Sequence, residues 1–245
     1  MFIVRIQVSP GLRSLLYARY RGPSFDRELA AKTSVKDLVE ACGIPHTEID
    51  MLRVDGEAVD FQCGIDHAVS VEVYGCDEVP AGSAGALLQS RAPRRFALDG
   101  HLGKLARHLR LLGFDTAYRS DIDDQELMVC ADEDRALLTR DRRLLMRREL
   151  RHGYCPRSDE AVAQTQEVLR RFRITADEFA PFTRCLRCNG RLLPVDKQAV
   201  ESCLEPLTKR YFERFHQCPG CGRIFWSGSH TRRLWQLVDT FGGRG

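Results

Sequence analysis

The sequence predicts an α/β protein: a parallel sheet with flanking helices, preceded by a smaller domain of mixed strands and helix and followed by a cysteine-rich metal module. Three observations carry this reading. After residue 93, short apolar runs alternate with helically spaced leucines; Pro80 to Pro93 (PAGSAGALLQSRAP) has the composition of a linker; and two Cys-x-x-Cys pairs stand near the end. They divide the chain into residues 1–79, a linker at 80–93, a sheet domain at 94–180 and a metal module at 181–245.

The first domain opens with an alternating run, Phe2 to Val8, and continues to a helix-like stretch with Val35, Leu38 and Val39 on one face. Ser34 is placed to cap that helix, with Asp37 three residues on, and Asp55-Gly56 is a turn dipeptide. The run Val69-Ser-Val-Glu-Val-Tyr closes the domain. This order resembles a β-grasp, ubiquitin-like domain of the sulfur-carrier type. Such carriers act through a free C-terminal diglycine, and here the chain runs on through Gly75-Cys76-Asp77. A docking or structural module is the expectation, with a protein partner as its target.

In the sheet domain, the strand Arg94 to Leu98 leads into Asp99-Gly100 and a helix carrying Leu102, Leu105, Ala106, Leu109 and Leu112, ended by Gly113. A second, acidic helix spans Asp123 to Ala131; a strand through Ala136–Thr139 reaches Arg140-Asp141; and a last helix covers 160–173. Alternating strands and helices argue for a parallel sheet covered on both faces.

In such sheets the reactive positions lie beyond the carboxyl ends of the strands, where Asp99 and Asp141 both fall. Clustered carboxylates repel unless a cation stands between them, and Mg²⁺ or Mn²⁺ is the usual hard, oxygen-preferring ion. Asp124 is the favoured third acid, with Asp121 competing for the role, Asp123 reserved as a helix cap and Asp159 a fourth candidate. Each aspartate also has an ordinary explanation as a cap or turn former. Beside them, Lys104, Arg107 and Arg110 on the first helix, and Arg140 and Arg142 around Asp141, are candidate phosphate contacts.

Cys185-Leu-Arg-Cys188 and Cys218-Pro-Gly-Cys221 have the spacing of two knuckles closing on one tetrahedral Zn²⁺. Four cysteines leave no open coordination position, so the zinc is structural. Basic residues interleave with Tyr211, Phe212, Phe215, Phe225, Trp226 and Trp235, a combination suited to single-stranded nucleic acid. A module this small needs most of those rings for its core, which leaves Trp226 and His230 as the binding candidates. Charge follows the same division. Lys+Arg against Asp+Glu is 8 to 13 in residues 1–80, 18 to 16 in 81–183 and 11 to 5 in 184–245, giving nets of −5, +2 and +6. The C-terminal part is the one expected to meet a polyanion.

The runs Phe96-Ala-Leu-Asp-Gly-His-Leu-Gly-Lys-Leu-Ala-Arg-His-Leu-Arg-Leu-Leu-Gly-Phe-Asp, Leu138-Thr-Arg-Asp-Arg, Arg184-Cys-Leu-Arg-Cys-Asn and Phe225-Trp-Ser-Gly-Ser-His strongly resemble the Mut-seven C-terminal RNase family. The resemblance extends over essentially the whole chain. It implies a PIN-like ribonuclease domain with a zinc ribbon, an N-terminal ubiquitin-like domain, clustered acids acting with Mg²⁺ or Mn²⁺, and RNA as the substrate. Asp99 and Asp141 match its motif; Asp124 and Asp159 are matched less closely. An RNA-binding or ribosome-associated protein with an inactive centre is the alternative, and an adaptor acting through the ubiquitin-like domain a third reading. With no apolar run long enough to span a membrane and no secretion signal at the N-terminus, a cytoplasmic protein is expected.

Overall fold

A computed structural model describes residues 1–89, 93–131 and 134–243. In the first part of the chain the elements are β1 (Phe2–Val8), β2 (Ser24–Leu29), β3 (Thr33–Ser34), α1 (Val35–Glu40), β4 (Met51–Val54), β5 (Glu57–Val59), β6 (Gly64–Ile65) and β7 (Ser70–Tyr74). There follow β8 (Arg95–Leu98), α2 (Gly103–Leu111), β9 (Asp115–Tyr118), α3 (Asp124–Cys130), β10 (Arg135–Leu138), α4 (Arg142–Leu145), β11 (Gly153–Tyr154) and α5 (Ala161–Arg171). The last part holds β12 (Leu193–Val195), α6 (Lys197–Val200), α7 (Pro206–Tyr211), β13 (Phe215–Gln217), β14 (Ile224–Trp226) and α8 (Ser229–Phe241). They form two compact units, Met1–Pro93 with Asp123–Pro156, and Arg94–Ile122 with Arg157–Gly245.

In the first unit, five strands join in the order β2-β1-β7-β4-β5, with β1 parallel to β7 and the other pairings antiparallel. The period-two pattern of β1 puts Val4, Ile6 and Val8 in the core and Ile3 outside. Ser34 Oγ accepts from Asp37 N at 3.0 Å and starts α1, whose Val35, Leu38 and Val39 are buried. Asp55 and Gly56 both take positive φ, 49° and 86°, as a tight hairpin between β4 and β5 requires.

The same unit includes β10 and β11, which pair in parallel through Leu137–Gly153 and Leu138–Tyr154. Every residue of β10 is buried, as is usual for parallel strands covered on both faces. Residues 42–50, despite the polar run His46-Thr-Glu-Ile-Asp50, are buried throughout. Their polar groups have partners. His46 Nε2 lies 2.8 Å from Leu150 O, Thr47 Oγ1 donates to Leu145 O at 3.4 Å, and Glu48 Oε1 accepts from Cys155 N at 2.6 Å. The ubiquitin-like domain and residues 123–156 therefore share one interior.

The stretch expected to be a linker is held down in its described part: Leu88 N donates to Asp50 O at 2.8 Å, Arg53 Nη2 to Ser83 Oγ at 3.3 Å, and Gln89 Oε1 lies 3.1 Å from His152 Nδ1. Its residues 90–92 lie outside the described residues.

In the second unit, β8 and β9 run parallel from Arg95–Asp115 to Leu98–Tyr118. β9 was not anticipated, because Asp115-Thr-Ala-Tyr118 lacks the apolar run of a covered strand. α2 packs on β9 and α5, its Leu105, Ala106 and Leu109 buried as the spacing predicted, and Gly113 (φ 97°) ends it. The metal module is an antiparallel β12-β13-β14 sheet over a small core of Val200, Leu204 and Phe215, flanked by Val195, Phe212 and Ile224. No helix among the described residues is long and apolar enough to cross a membrane.

Candidate metal centres and nucleic-acid surface

The four knuckle cysteines converge. Their sulfurs lie within 4.8 Å of one another, with Cys185–Cys221 at 3.6 Å and Cys188–Cys218 at 3.3 Å. A tetrahedral ion with metal–sulfur bonds of about 2.3 Å would separate its ligands by about 3.8 Å, so the cage fits one such ion. The two knuckles are built alike. Cys185 N bonds Gly190 O and Asn189 N bonds Cys185 O; Cys218 N bonds Arg223 O and Gly222 N bonds Cys218 O. Asn189 and Gly222, each following the second cysteine of its pair, both turn through positive φ, 70° and 73°.

Four thiols in so small a space cannot all ionise without a cation. Burial pushes the Cys188 thiol up to about 12, while the Arg223 backbone N–H draws Cys221 down to about 7. A bound cation would favour all four thiolates.

The first knuckle is fastened to the edge of β9. Asn189 Oδ1 accepts from Thr116 N at 2.9 Å while its Nδ2 donates to Asp115 Oδ1 at 2.7 Å. Arg184 Nε donates to Gly113 O at 3.1 Å. Arg110 completes the joint. It is 3% exposed, and its guanidinium donates to the carbonyls of Thr116 (2.9 and 3.1 Å), Tyr118 (3.3 Å), Leu186 (3.3 Å) and Arg187 (2.7 Å). This corrects the expectation that Arg110 reaches phosphates: its donors are spent inside the protein. Lys104 and Arg107 on the same helix are exposed and remain suited to that role.

The acidic candidates fall in both units. In the second, Asp99 is half-buried at the end of β8 and caps the turn that starts α2, accepting from His101 N at 3.3 Å. Gly100 is required beside it, since a Cβ there would meet the Ser120 backbone O at 2.6 Å; one on Gly103 would displace the Tyr118 hydroxyl, 2.5 Å away. Asp121 is exposed and accepts from Arg119 Nε at 2.8 Å; Asp159 is exposed just ahead of α5.

In the first unit, Asp141 is exposed at the start of α4, its Oδ1 accepting from Arg143 N at 2.7 Å. Asp124 is exposed as the first residue of α3, and Asp123 caps that helix in a reciprocal box with Glu126. Both strand-end acids thus also serve as helix caps. Among the described residues, three acids do not gather at metal-binding distance within either unit.

Around Asp141, Arg140 is exposed, and Arg142 is half-buried with its guanidinium 5.4 Å from the Tyr17 ring. In the metal module Phe215 is buried, but three rings are not: Trp226 is 39% exposed, Trp235 47% and Tyr211 65%. Tyr211 and Trp235 were not singled out from the sequence, where a core ring and a surface ring look alike. The side chain of His230, at the start of α8, lies outside the described residues.

A model of the Mut7-C RNAse domain matches residues 94–238, and one of the Mut7-C ubiquitin domain matches residues 1–79. The chain belongs to the Mut7-C RNase domain family. No curated protein and no solved structure matches it. The Mut7-C match begins just before β8 and runs into α8, so it takes in both cysteine pairs as well as the strands that end at Asp99 and Asp141. The ubiquitin-like match ends at residue 79, five residues beyond β7. Parallel strands flanked by helices, the five-stranded N-terminal sheet and the cysteine cluster give this Mut7-C chain the fold class expected from its sequence.

Proposed function

We propose that the protein is a metal-dependent ribonuclease that hydrolyses phosphodiester bonds in single-stranded RNA. The observation that carries this reading is the Mut7-C RNase domain match over residues 94–238. In it, Asp99 and Asp141, with Asp124 as the third acid and Asp121 and Asp159 as further candidates, supply hard oxygen ligands to Mg²⁺ or Mn²⁺. Bound there, such an ion would activate water against the phosphodiester. The chain's own contribution is to present the carboxylates at helix starts and to neutralise substrate phosphates with Lys104, Arg107 and Arg140, while Arg142, bonded to Leu15 O, is held back from that role. Trp226 and two further exposed rings, Tyr211 and Trp235, offer faces for base stacking. The four cysteines hold a structural Zn²⁺, for which their spacing and closed, all-sulfur donor set are suited.

A second reading, an RNA-binding or ribosome-associated protein with an inactive centre, is favoured by one observation: Asp99 and Asp141 are each accounted for as helix caps. One assay separates the two. Purified protein is incubated with single- and double-stranded RNA and DNA, in Mn²⁺ and in EDTA. The ribonuclease reading expects cleavage of single-stranded RNA in Mn²⁺, lost in EDTA and lost in Asp99→Asn with an unchanged melting temperature. Cleavage that survives in Asp99→Asn removes that residue from the chemistry; binding without turnover in Mn²⁺ establishes the second reading.

A further inference from the structure

The loop between β1 and β2 is chemically unlike the rest of its domain. Residues 1–25 contain Arg5, Arg13, Arg19 and Arg21 and no acid, whereas all 13 acidic residues of 1–80 stand at Asp26 or later. A domain of net charge −5 therefore carries one locally basic segment. Tyr17, Arg19 and Arg21 on that segment are exposed, Tyr17 to 41%.

The segment is anchored beside Asp141. Tyr17 N donates to Cys42 O at 2.9 Å, which fixes the backbone beneath the ring. Arg142 Nη1 donates to Leu15 O, and its guanidinium stands over the Tyr17 ring. Tyr17, Arg140, Asp141, Arg142, Arg143 and Met146 together line a recess of about 430 Å³. A tyrosine 41% exposed, with a guanidinium over its ring and exposed arginines lining the same recess, is the equipment that binds an unpaired base and its phosphates. The recess lies wholly within the first unit, so the ubiquitin-like domain supplies part of the surface around a candidate catalytic carboxylate.

We infer that the β1–β2 loop of the ubiquitin-like domain is a substrate-binding element, in which Tyr17 stacks a base of single-stranded RNA beside Asp141. The inference rests on the nucleic-acid reading above and assigns part of the substrate grip to the domain with the acidic net charge. Arg142 is then a positioning residue. It holds Tyr17 rather than reaching out to a phosphate, while Arg19 and Arg21 supply the loop's attraction for the backbone.

The test uses the full chain and a fluorescein-labelled oligouridylate. Affinity is read by anisotropy in EDTA, and KM and kcat in Mn²⁺. Tyr17→Ala is expected to weaken binding at least fivefold, the low end of one base stack, and to raise KM with little change in kcat. Tyr17→Phe should restore both. Arg19→Ala with Arg21→Ala should flatten the dependence of log affinity on log salt by roughly 0.7 per lost phosphate contact. If the wild type binds without cleaving but Tyr17→Ala still weakens binding, the inference stands and the ribonuclease reading fails. If the wild type binds and cleaves and Tyr17→Ala, folded by thermal melt, matches it in affinity and KM, the inference is overturned and the ribonuclease reading survives. No binding by the wild type overturns the inference, as does an equal loss in Tyr17→Phe.

Discussion

Arg110 and Arg107 stand three positions apart in one basic helix, and burial gives them opposite tasks. Arg107 is exposed, while Arg110 is turned inward, with four carbonyls accepting its hydrogen bonds. Two of those carbonyls belong to the edge strand and two to the first cysteine knuckle, so the side chain ties one to the other. Removing it leaves the buried Thr116 carbonyl without this donor, at about 1–3 kcal/mol, while the bonds to the other three carbonyls are only part-buried. Arg110→Ala should lose ~3 kcal/mol in urea unfolding, whereas Arg107→Ala should stay within ~0.5 kcal/mol. Lysine should restore little, since an ammonium lacks the planar fork that serves separated carbonyls. An Arg110→Ala protein as stable as the wild type would show that the knuckle is held by other contacts.

At the scale of elements, β9 depends on what covers its edge. Its own sequence is weak for a strand, and Asn189 continues its hydrogen bonding where a neighbouring strand would otherwise stand. That asparagine follows Cys188, inside the turn the metal cage closes. Loss of the proposed zinc should therefore be felt beyond residues 181–245. Chelation is expected to raise amide exchange at Thr116 as well as around the knuckles, while β1 and β7 keep their protection. Exchange that rises at the knuckles alone would mean that β9 stands without the metal.

At the scale of the whole molecule, the ubiquitin-like domain is not an appendage on a tether. His46, Thr47 and Glu48 are buried and bonded to Leu150, Leu145 and Cys155, within the stretch that also contains β10 and β11. Deleting residues 1–79 should uncover the Leu145, Leu150 and Tyr154 surface and leave the Cys155 N–H without its carboxylate. The shortened chain is expected to aggregate, or to lose amide protection across residues 135–155, rather than behave as an independent nuclease domain. A soluble truncation with native exchange there would contradict this integration.

The sequence by itself determined the elements whose signals are local. The α1 cap at Ser34, the Asp55-Gly56 turn, the leucine face of α2 and its glycine stop, the Asp123 cap and the pairing of two Cys-x-x-Cys knuckles all follow from side chains within a few positions of one another. The family runs added the order of the parts. Tertiary structure decided whatever depends on partners distant in sequence. It made a strand of Asp115–Tyr118 by giving it β8 and Asn189 as neighbours, turned Arg110 from a phosphate contact into a brace, and buried the polar run His46–Asp50 by supplying acceptors and donors a hundred residues away. It also left Tyr17 exposed beside Asp141. Periodicity and spacing tell how a segment will fold on itself; which of its polar groups face water is fixed only when the rest of the chain arrives to satisfy them.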